Sequence, residues 1–485
     1  MTRSYKSIEH HRNCHVGRLA KRILVALPVL AIGVVLACRW WLDAQAMQPL
    51  VAATSSLVVF PLSTNTPYAM SGSVEEPHEQ PKNNWSTCSL VQINAVYRHG
   101  TRYPMESDYI KMQRTLHELQ TAYNSTLPQW LQTYAFSYPQ SVSELLAPAG
   151  EVEMEGLGRR ARMLADRYSL PSRYSPDAFV FEHTHVLRTK QSAERYTRRI
   201  GPAEQWCVNI RRFAAAYFAD TPSPPNISYK CQPQGQDISL RFFDNCPKYK
   251  AWVRYSTNMT IQTKAFEETS RALAMVAQLR DAGLHLPPSA SFQWSQLMAV
   301  YDACAFDVAL FNTSSMWCSL FPTRDLLLLD FHSDLKKYYE CGPGFAISVA
   351  IAAPLLADML ATMTATDHPG SAAIAYFRFA HAETVLPLAC LLGMCSSTSP
   401  LVASWTEAQI HHRQFKVSRL SPFASNLAFH VYKCGKNDEK RVKFLANEVE
   451  VDMPFCHEKG YCTLDDLQQH FYTAVAFDFQ NECKL

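Results

Sequence analysis

The chain has 485 residues, 47% hydrophobic and 12% aromatic, with 18% charged. That balance supports a sizeable packed core and excludes a wholly disordered protein. The net charge is +3, yet residues 1–22 alone hold six Lys or Arg against one Glu. The rest is slightly negative, which excludes a broad basic face for nucleic acid.

Behind that basic tail, Ile23 to Cys38 is an unbroken apolar run. As a helix it spans roughly 24 Å against a bilayer core of about 30 Å. Arg39 can snorkel and Trp40-Trp41 suit the interface, extending the usable length. We read residues 23–42 as a signal anchor that places the rest of the chain in the lumen or outside the cell. The alternative is a signal peptide cut at Ala44-Gln45-Ala46. The long basic leader and the bulky Arg39-Trp40-Trp41 favour the anchor. Residues 43–84, rich in Ser, Thr, Pro and acids, read as a linker, with packing expected from Trp85.

Leu90 to Tyr97 is predicted as a strand and Glu151 to Arg167 as a helix with Met154, Leu157, Ala161, Met163 and Leu164 on its apolar face. Phe179 to Phe181 is a second strand. Residues 201–324 carry Pro-rich turns and helical runs and read as a mostly helical cap. The sheet residues then lie in 85–200 and 325–485. Arg324 to Tyr339 and Phe345 to Thr362 are predicted helices, Ala372 to Phe379 a strand, and Thr384 to Leu392 the helix after it. Phe429 to Tyr432 and Val442 to Leu445, joined by Gly435-Lys436-Asn437, predict a hairpin. A strand, loop and helix at each motif described below implies an α/β sheet with its site at the carboxyl ends of strands.

Arg98-His99-Gly100-Thr101-Arg102-Tyr103-Pro104 follows the first strand. Two guanidinium forks match phosphoryl oxygens, and a histidine beside them is placed to attack the phosphorus. Neighbouring arginines keep such an imidazole neutral in mild acid. Arg188 closes the second strand region and is the third candidate for phosphate binding.

The run R-H-G-x-R-x-P resembles the signature of the histidine phosphatase superfamily, in its acid phosphatase and phytase branch. The branch's second motif is matched by His381-Ala382-Glu383-Thr384, which resembles the inositol polyphosphate phosphatase subfamily rather than the commoner His-Asp version. Leu240 to Cys246, Asp334 to Tyr339, Ser421 to Leu427 and Asn447 to Leu464 resemble segments of the same subfamily, and Arg188-Thr189-Lys190-Gln191-Ser192-Ala193 resembles R-T-x-x-S-A. The resemblance implies a three-layer α/β core with a helical cap. His99 would be the nucleophile, Arg98, Arg102, Arg188 and His381 the phosphate ligands, and Glu383 the general acid. It also implies inositol hexakisphosphate and lower inositol phosphates as substrates, with 2,3-bisphosphoglycerate second. A broad acid phosphatase and a non-catalytic surface glycoprotein of the same fold are the competing readings.

Lys190, His183 and His185 are candidate pocket residues, whereas His411-His412-Arg413 reads as a solvated loop. No metal or cofactor is called for: no C-x2-C, Walker A, G-x-S-x-G or H-E-x-x-H is present. Asn84, Asn124, Asn226, Asn258 and Asn312 begin glycosylation sequons, and thirteen of the fifteen Cys lie beyond residue 38. Both features suit an oxidising compartment. Thirteen being odd, at least one thiol is unpaired or paired between chains, and Cys456 and Cys462 are spaced for a local bridge.

Overall fold

The computed structural model describes residues 61–70, 85, 87–185, 208–220, 225–367, 373–396, 399–458 and 460–485. The expected tail and anchor, Asn84, Arg188 and Lys190 lie outside these residues. Among the described residues there are seven strands: β1 Cys88–Arg98, β2 Phe179–His183, β3 Tyr229–Cys231, β4 Ala375–Ala380, β5 Asn426–Cys434, β6 Glu439–Ala446 and β7 Val449–Glu450. Eight described helices reach ten residues: α1 Glu106–Tyr123, α2 Pro148–Arg167, α3 Val208–Tyr217, α4 Trp294–Phe311, α5 Thr323–Glu340, α6 Ala353–Thr364, α7 Ala382–Leu391 and α8 Leu464–Val475.

The strands form one sheet in the order β3-β2-β4-β1-β5-β6-β7. β3, β2, β4 and β1 run parallel, while β5, β6 and β7 are antiparallel to their neighbours. The predicted hairpin is β5–β6, turning through Gly435 and Asp438, both at positive φ. A parallel, two-face-buried strand should be almost continuously apolar, and β1 is buried along nearly its whole length. Ile93, Ala95 and Tyr97 pack on one face with Phe179, Phe377 and Phe379 against Met154 and Leu157 of α2 and Phe213 of α3. On the other face Val96, Phe429 and Phe444 meet Leu356 and Met359 of α6, Val385 of α7 and Leu467 of α8. Three layers result, α/β/α. Met163, counted on the apolar face of α2, is 64% exposed.

A further helical body holds its own core. Met112 and Leu116 of α1, Leu297 and Val300 of α4, Leu329 and Phe331 of α5, Trp317 and Phe415 pack together. The cap is therefore not one insertion running from 201 to 324. Its helices come from before α2 and after Tyr255, whereas α3 packs on α2 and β3 extends the sheet edge through pairing with β2. The sequence of β3 is too short, at three residues, to show a period.

Two other expectations change. Residues 61–70 are packed rather than tether-like: Leu62, Ser63, Thr66 and Tyr68 are buried, and the segment makes two short 3-10 turns, Ser63–Asn65 and Tyr68–Met70. The domain thus reaches at least from Pro61, not from Trp85. Arg413 is buried too, ion-paired with Asp330 and, at 2.6 Å, with Asp334 of α5; only its neighbours His411 and His412 are exposed.

Among the described residues there are five disulfides: Cys88–Cys434, Cys246–Cys483, Cys304–Cys318, Cys390–Cys395 and Cys456–Cys462. Cys341 is an unpaired, buried thiol. Replacing Arg413 by Leu leaves two buried carboxylates without their cation, and removing one partner of a buried pair costs about 3–5 kcal/mol. A urea melt of Arg413→Leu should show a loss of that order; a loss below about 1 kcal/mol would contradict the buried pairing.

Candidate active site

The site forms where β1, β4 and β2 end side by side. Register pairs Arg98 with Ala380. The His99 N–H donates to the Ala380 carbonyl at 3.1 Å, and the Thr184 N–H to the Phe379 carbonyl at 3.3 Å. Motifs some 280 residues apart in sequence thereby share one edge. His381 is the extended N-cap of α7, and Glu383 lies in its first turn.

The loop after β1 is held tightly. Ala147 N–H donates to Thr101 O at 2.9 Å and Tyr103 N–H to Leu145 O at 2.9 Å. Glu153 of α2 accepts from Thr101 N at 2.7 Å and from Thr101 Oγ1 at 3.1 Å. Gly100 crosses Gly150 so closely that a Cβ on Gly100 would stand 2.4 Å from the Gly150 carbonyl oxygen. Glycine is required there by backbone approach.

His99 Nδ1 lies 2.9 Å from the Gly100 carbonyl. A carbonyl only accepts, so Nδ1 carries the proton and Nε2 keeps its lone pair. Burial, Arg98, Arg102 and His381 together hold the imidazole well below its usual pKa. His99 is thus a neutral base at acid pH. Its ring faces that of His381 at 5.8 Å between centroids, nearly edge-on.

Arg98 is buried, its Nη1 donating to the carbonyls of Thr64 at 2.6 Å and Ser421 at 2.8 Å. Its guanidinium lies 4.4 Å from the Phe423 ring centroid, and its buried Nε has no hydrogen-bond partner in the protein. Burial and Arg102 pull Arg98 down to about 9, which still leaves it cationic at acid pH. Arg102 Nη1 donates to the Tyr103 carbonyl at 2.8 Å.

Three residues that sequence reasoning did not single out enter here. Arg241 Nη1 lies 2.8 Å from His381 Nε2, and Thr184 Oγ1 lies 2.9 Å from the same atom. Because a guanidinium only donates, Nε2 of His381 accepts from it. Lys337 of α5 donates to Glu383 Oε1 at 3.1 Å and pairs with Glu340 at 2.9 Å. Arg241 is paired with Asp244, which Arg254 also reaches at 2.7 Å. Arg241 and Lys337 stand in two of the four segments that carried the subfamily resemblance, and basic side chains there were the available signal. His183 Nδ1 faces its neighbour's carbonyl, Thr184 O, at 3.1 Å, and the His183 ring lies 6.4 Å from Tyr229. No three His, Cys, Asp or Glu side chains converge as metal ligands among the described residues.

Glu383 is the unexpected member. Burial alone would raise its pKa, but Lys337, His381 and its own helix N-terminal amide outweigh this and hold it well below the usual range. In the free protein it is a carboxylate. The arrangement as a whole sets Arg98 and Arg102 beside His99, Arg241 beside His381 and Lys337 beside Glu383, a concentration of donors of the kind that holds an oxyanion next to a base.

The histidine phosphatase superfamily (branch 2) family model matches residues 89–447. The chain belongs to this family. It is 28% identical over 428 residues to multiple inositol polyphosphate phosphatase 1 of Gallus gallus, covering 84% of this chain and 87% of that protein. The Homo sapiens protein of the same name is 26% identical over 442 residues, covering 86% of each. Among solved structures, the phytase from D. castellii superposes with a TM-score of 0.69 at 17% identity, over 90% of this chain and 91% of that one. A Bifidobacterium longum multiple inositol polyphosphate phosphatase in complex with inositol hexasulfate gives 0.59 at 17% identity, over 84% and 96%. The α/β fold with helical cap is thus that of this histidine phosphatase branch.

The ion pair with Lys337 favours the charged form of Glu383, so Lys337→Met should raise the carboxyl's pKa. A general acid works when protonated, and kcat/KM reports the free enzyme. The alkaline limb of the kcat/KM profile should therefore move to higher pH in Lys337→Met; an unmoved limb would separate Glu383 from the rate.

Proposed function

We propose that this protein removes phosphate from inositol polyphosphates by way of a phosphohistidine on His99. The observation that carries the reading is the His99 Nε2 lone pair, freed by the Nδ1–Gly100 hydrogen bond, within a cluster of arginines. Relatives named for inositol polyphosphates, and a structural neighbour holding inositol hexasulfate, support the substrate class. Arg241, Arg254 and Lys337, beyond Arg98 and Arg102, suit a ligand bearing more than one phosphate. Arg188 and Lys190 would add to this set, and 2,3-bisphosphoglycerate is the second substrate of the same charge type.

His99 Nε2 attacks the phosphorus and the ester P–O bond breaks. The departing alkoxide takes its proton from Glu383. A bound phosphate brings negative charge that competes for Lys337 and raises Glu383, so that it can hold the proton it delivers. Water then attacks the phosphohistidine, Glu383 accepts its proton, and phosphate leaves with His99 restored. Arg98, Arg102, Arg241 and His381 face the charge that develops on the transferring oxygens.

His99→Ala should abolish the trapped phosphoenzyme. Glu383→Gln should slow inositol hexakisphosphate by about 10²–10⁴-fold and p-nitrophenyl phosphate, with its good leaving group, far less. A phosphoenzyme in the first variant, or equal losses in the second, would overturn these roles. Wild-type kcat/KM no greater for inositol hexakisphosphate than for p-nitrophenyl phosphate would favour a broad acid phosphatase.

We further propose that the domain works in an oxidising compartment, held by residues 23–42. Five disulfides support this, as do the exposed sequon residues Asn124, Asn226, Asn258 and Asn312. Expressed in a eukaryotic secretory pathway, the protein should lose apparent mass on peptide N-glycosidase treatment and stay with membranes in alkaline carbonate. Release into the carbonate supernatant would favour a cleaved signal peptide.

A further inference from the structure

We infer that residues 61–70 are a strap that aims Arg98 at the transferring phosphate, so that the catalytic unit starts upstream of its first strand. The inference rests on the reading of Arg98 as a phosphate ligand.

The strap has little regular structure, only two 3-10 turns of three residues each. Its conformation is nonetheless strongly determined. Thr66 Oγ1 accepts from Leu62 N at 2.9 Å and donates to Ser63 O at 2.9 Å. Ser63 holds a left-handed backbone at φ 50°, a position that non-glycine residues keep only when their surroundings enforce it. What enforces it is Asp330, whose Oδ1 accepts from Ser63 N at 2.8 Å.

From this fixed base the outward hydrogen bonds run to the site. Thr64 O accepts from Arg98 Nη1 at 2.6 Å. Thr66 O accepts from the N–H of Phe423 at 3.0 Å, and the Phe423 ring supports the Arg98 guanidinium. Tyr68 N donates at 3.1 Å to Glu153, the carboxylate that also holds the Thr101 amide. Tyr68 Oη donates to Glu448 at 2.8 Å and accepts from Asn426 Nδ2 at 3.0 Å.

A guanidinium is a planar fork, and its use on an oxyanion depends on which edge is presented. Both protons of Arg98 Nη1 are taken by two carbonyls, one from the strap and one from Ser421. The plane is set by Phe423, itself bonded to the strap. The buried Nε is the donor of this fork that no protein group satisfies, so its edge is the one not committed to a carbonyl. Without the strap one Nη1 proton is buried unpaired, and the fork can turn to satisfy it.

A segment that only adds stability would change the melting temperature and little else. One that aims Arg98 has an effect that depends on Arg98 being there. The test is a double-mutant cycle in the full chain, with residues 62–70 replaced by a Gly/Ser sequence of equal length, in the wild-type and Arg98→Lys backgrounds. The measurements are kcat/KM and competitive inhibition by inorganic phosphate, the product.

In the wild-type background, kcat/KM should fall about 10²-fold, the penalty typical of a small misplacement, with phosphate inhibition weakened in parallel. In Arg98→Lys the same replacement should add less than about threefold. Equal fold-losses in both backgrounds would mean independent effects and overturn the aiming role. Should the replacement fail to fold, Ser63→Pro serves instead, since proline cannot take φ 50°, and the same cycle applies. A wild-type-like phosphoenzyme from His99→Ala would defeat the nucleophile assignment while leaving the coupling between strap and Arg98 intact.

Discussion

The parallel pairing of β1 with β4 is the constraint on which the rest depends. It sets Arg98 opposite Ala380, so that the residue following each is a histidine at the same sheet edge. Neither loop could find the other through its own sequence; the ladder brings them together. β2 on the far side of β4 then delivers Thr184 to the His381 ring. The position of the chemistry is thus a property of the strand order, as at other crevices outside the carboxyl ends of parallel strands.

Charge completes what the sheet begins. A cluster of arginines and a lysine around two imidazoles would be self-repelling in isolation. Three of its cations are held by carboxylates: Asp244 pairs with Arg241 and Arg254, Glu340 with Lys337. Arg241, Arg254 and Lys337 thus each keep a carboxylate partner when no substrate is present, whereas Arg98 is held by the carbonyls of Thr64 and Ser421. Glu383 is a further carboxylate, in the first turn of a helix with Lys337 beside it. Its ionised resting state follows from that pairing.

What could be read from the sequence divides along physical lines. β1, α2, α5 and the β5–β6 hairpin carry long periodic patterns or turn residues, and the two motifs carry functional groups at fixed spacing. All of these are local signals. β3 was missed because three residues carry no period, and the cap was drawn too simply because its helices come from separate parts of the chain. Residues 61–70 looked like a tether because Ser, Thr and Pro dominate them, and their order comes from Asp330, Glu153 and Phe423, all distant in sequence. Arg413 was misjudged for the same reason. Arg241 and Lys337 were visible as residues but not as neighbours of His381 and Glu383, since only the tertiary fold supplies those contacts.

The Cys246–Cys483 bridge, with Lys248 N–H donating to the Cys483 carbonyl at 3.1 Å, ties the middle of the chain to its last few residues. The first strand likewise waits for β4, and for Cys434 across 346 positions. The sheet and its bridges therefore close only when segments far apart in the chain have met. Such high contact order makes folding slow and leaves apolar strands uncovered meanwhile. Assembly of this domain is consequently gated by the meeting of distant strands and half-cystines rather than by any one local element.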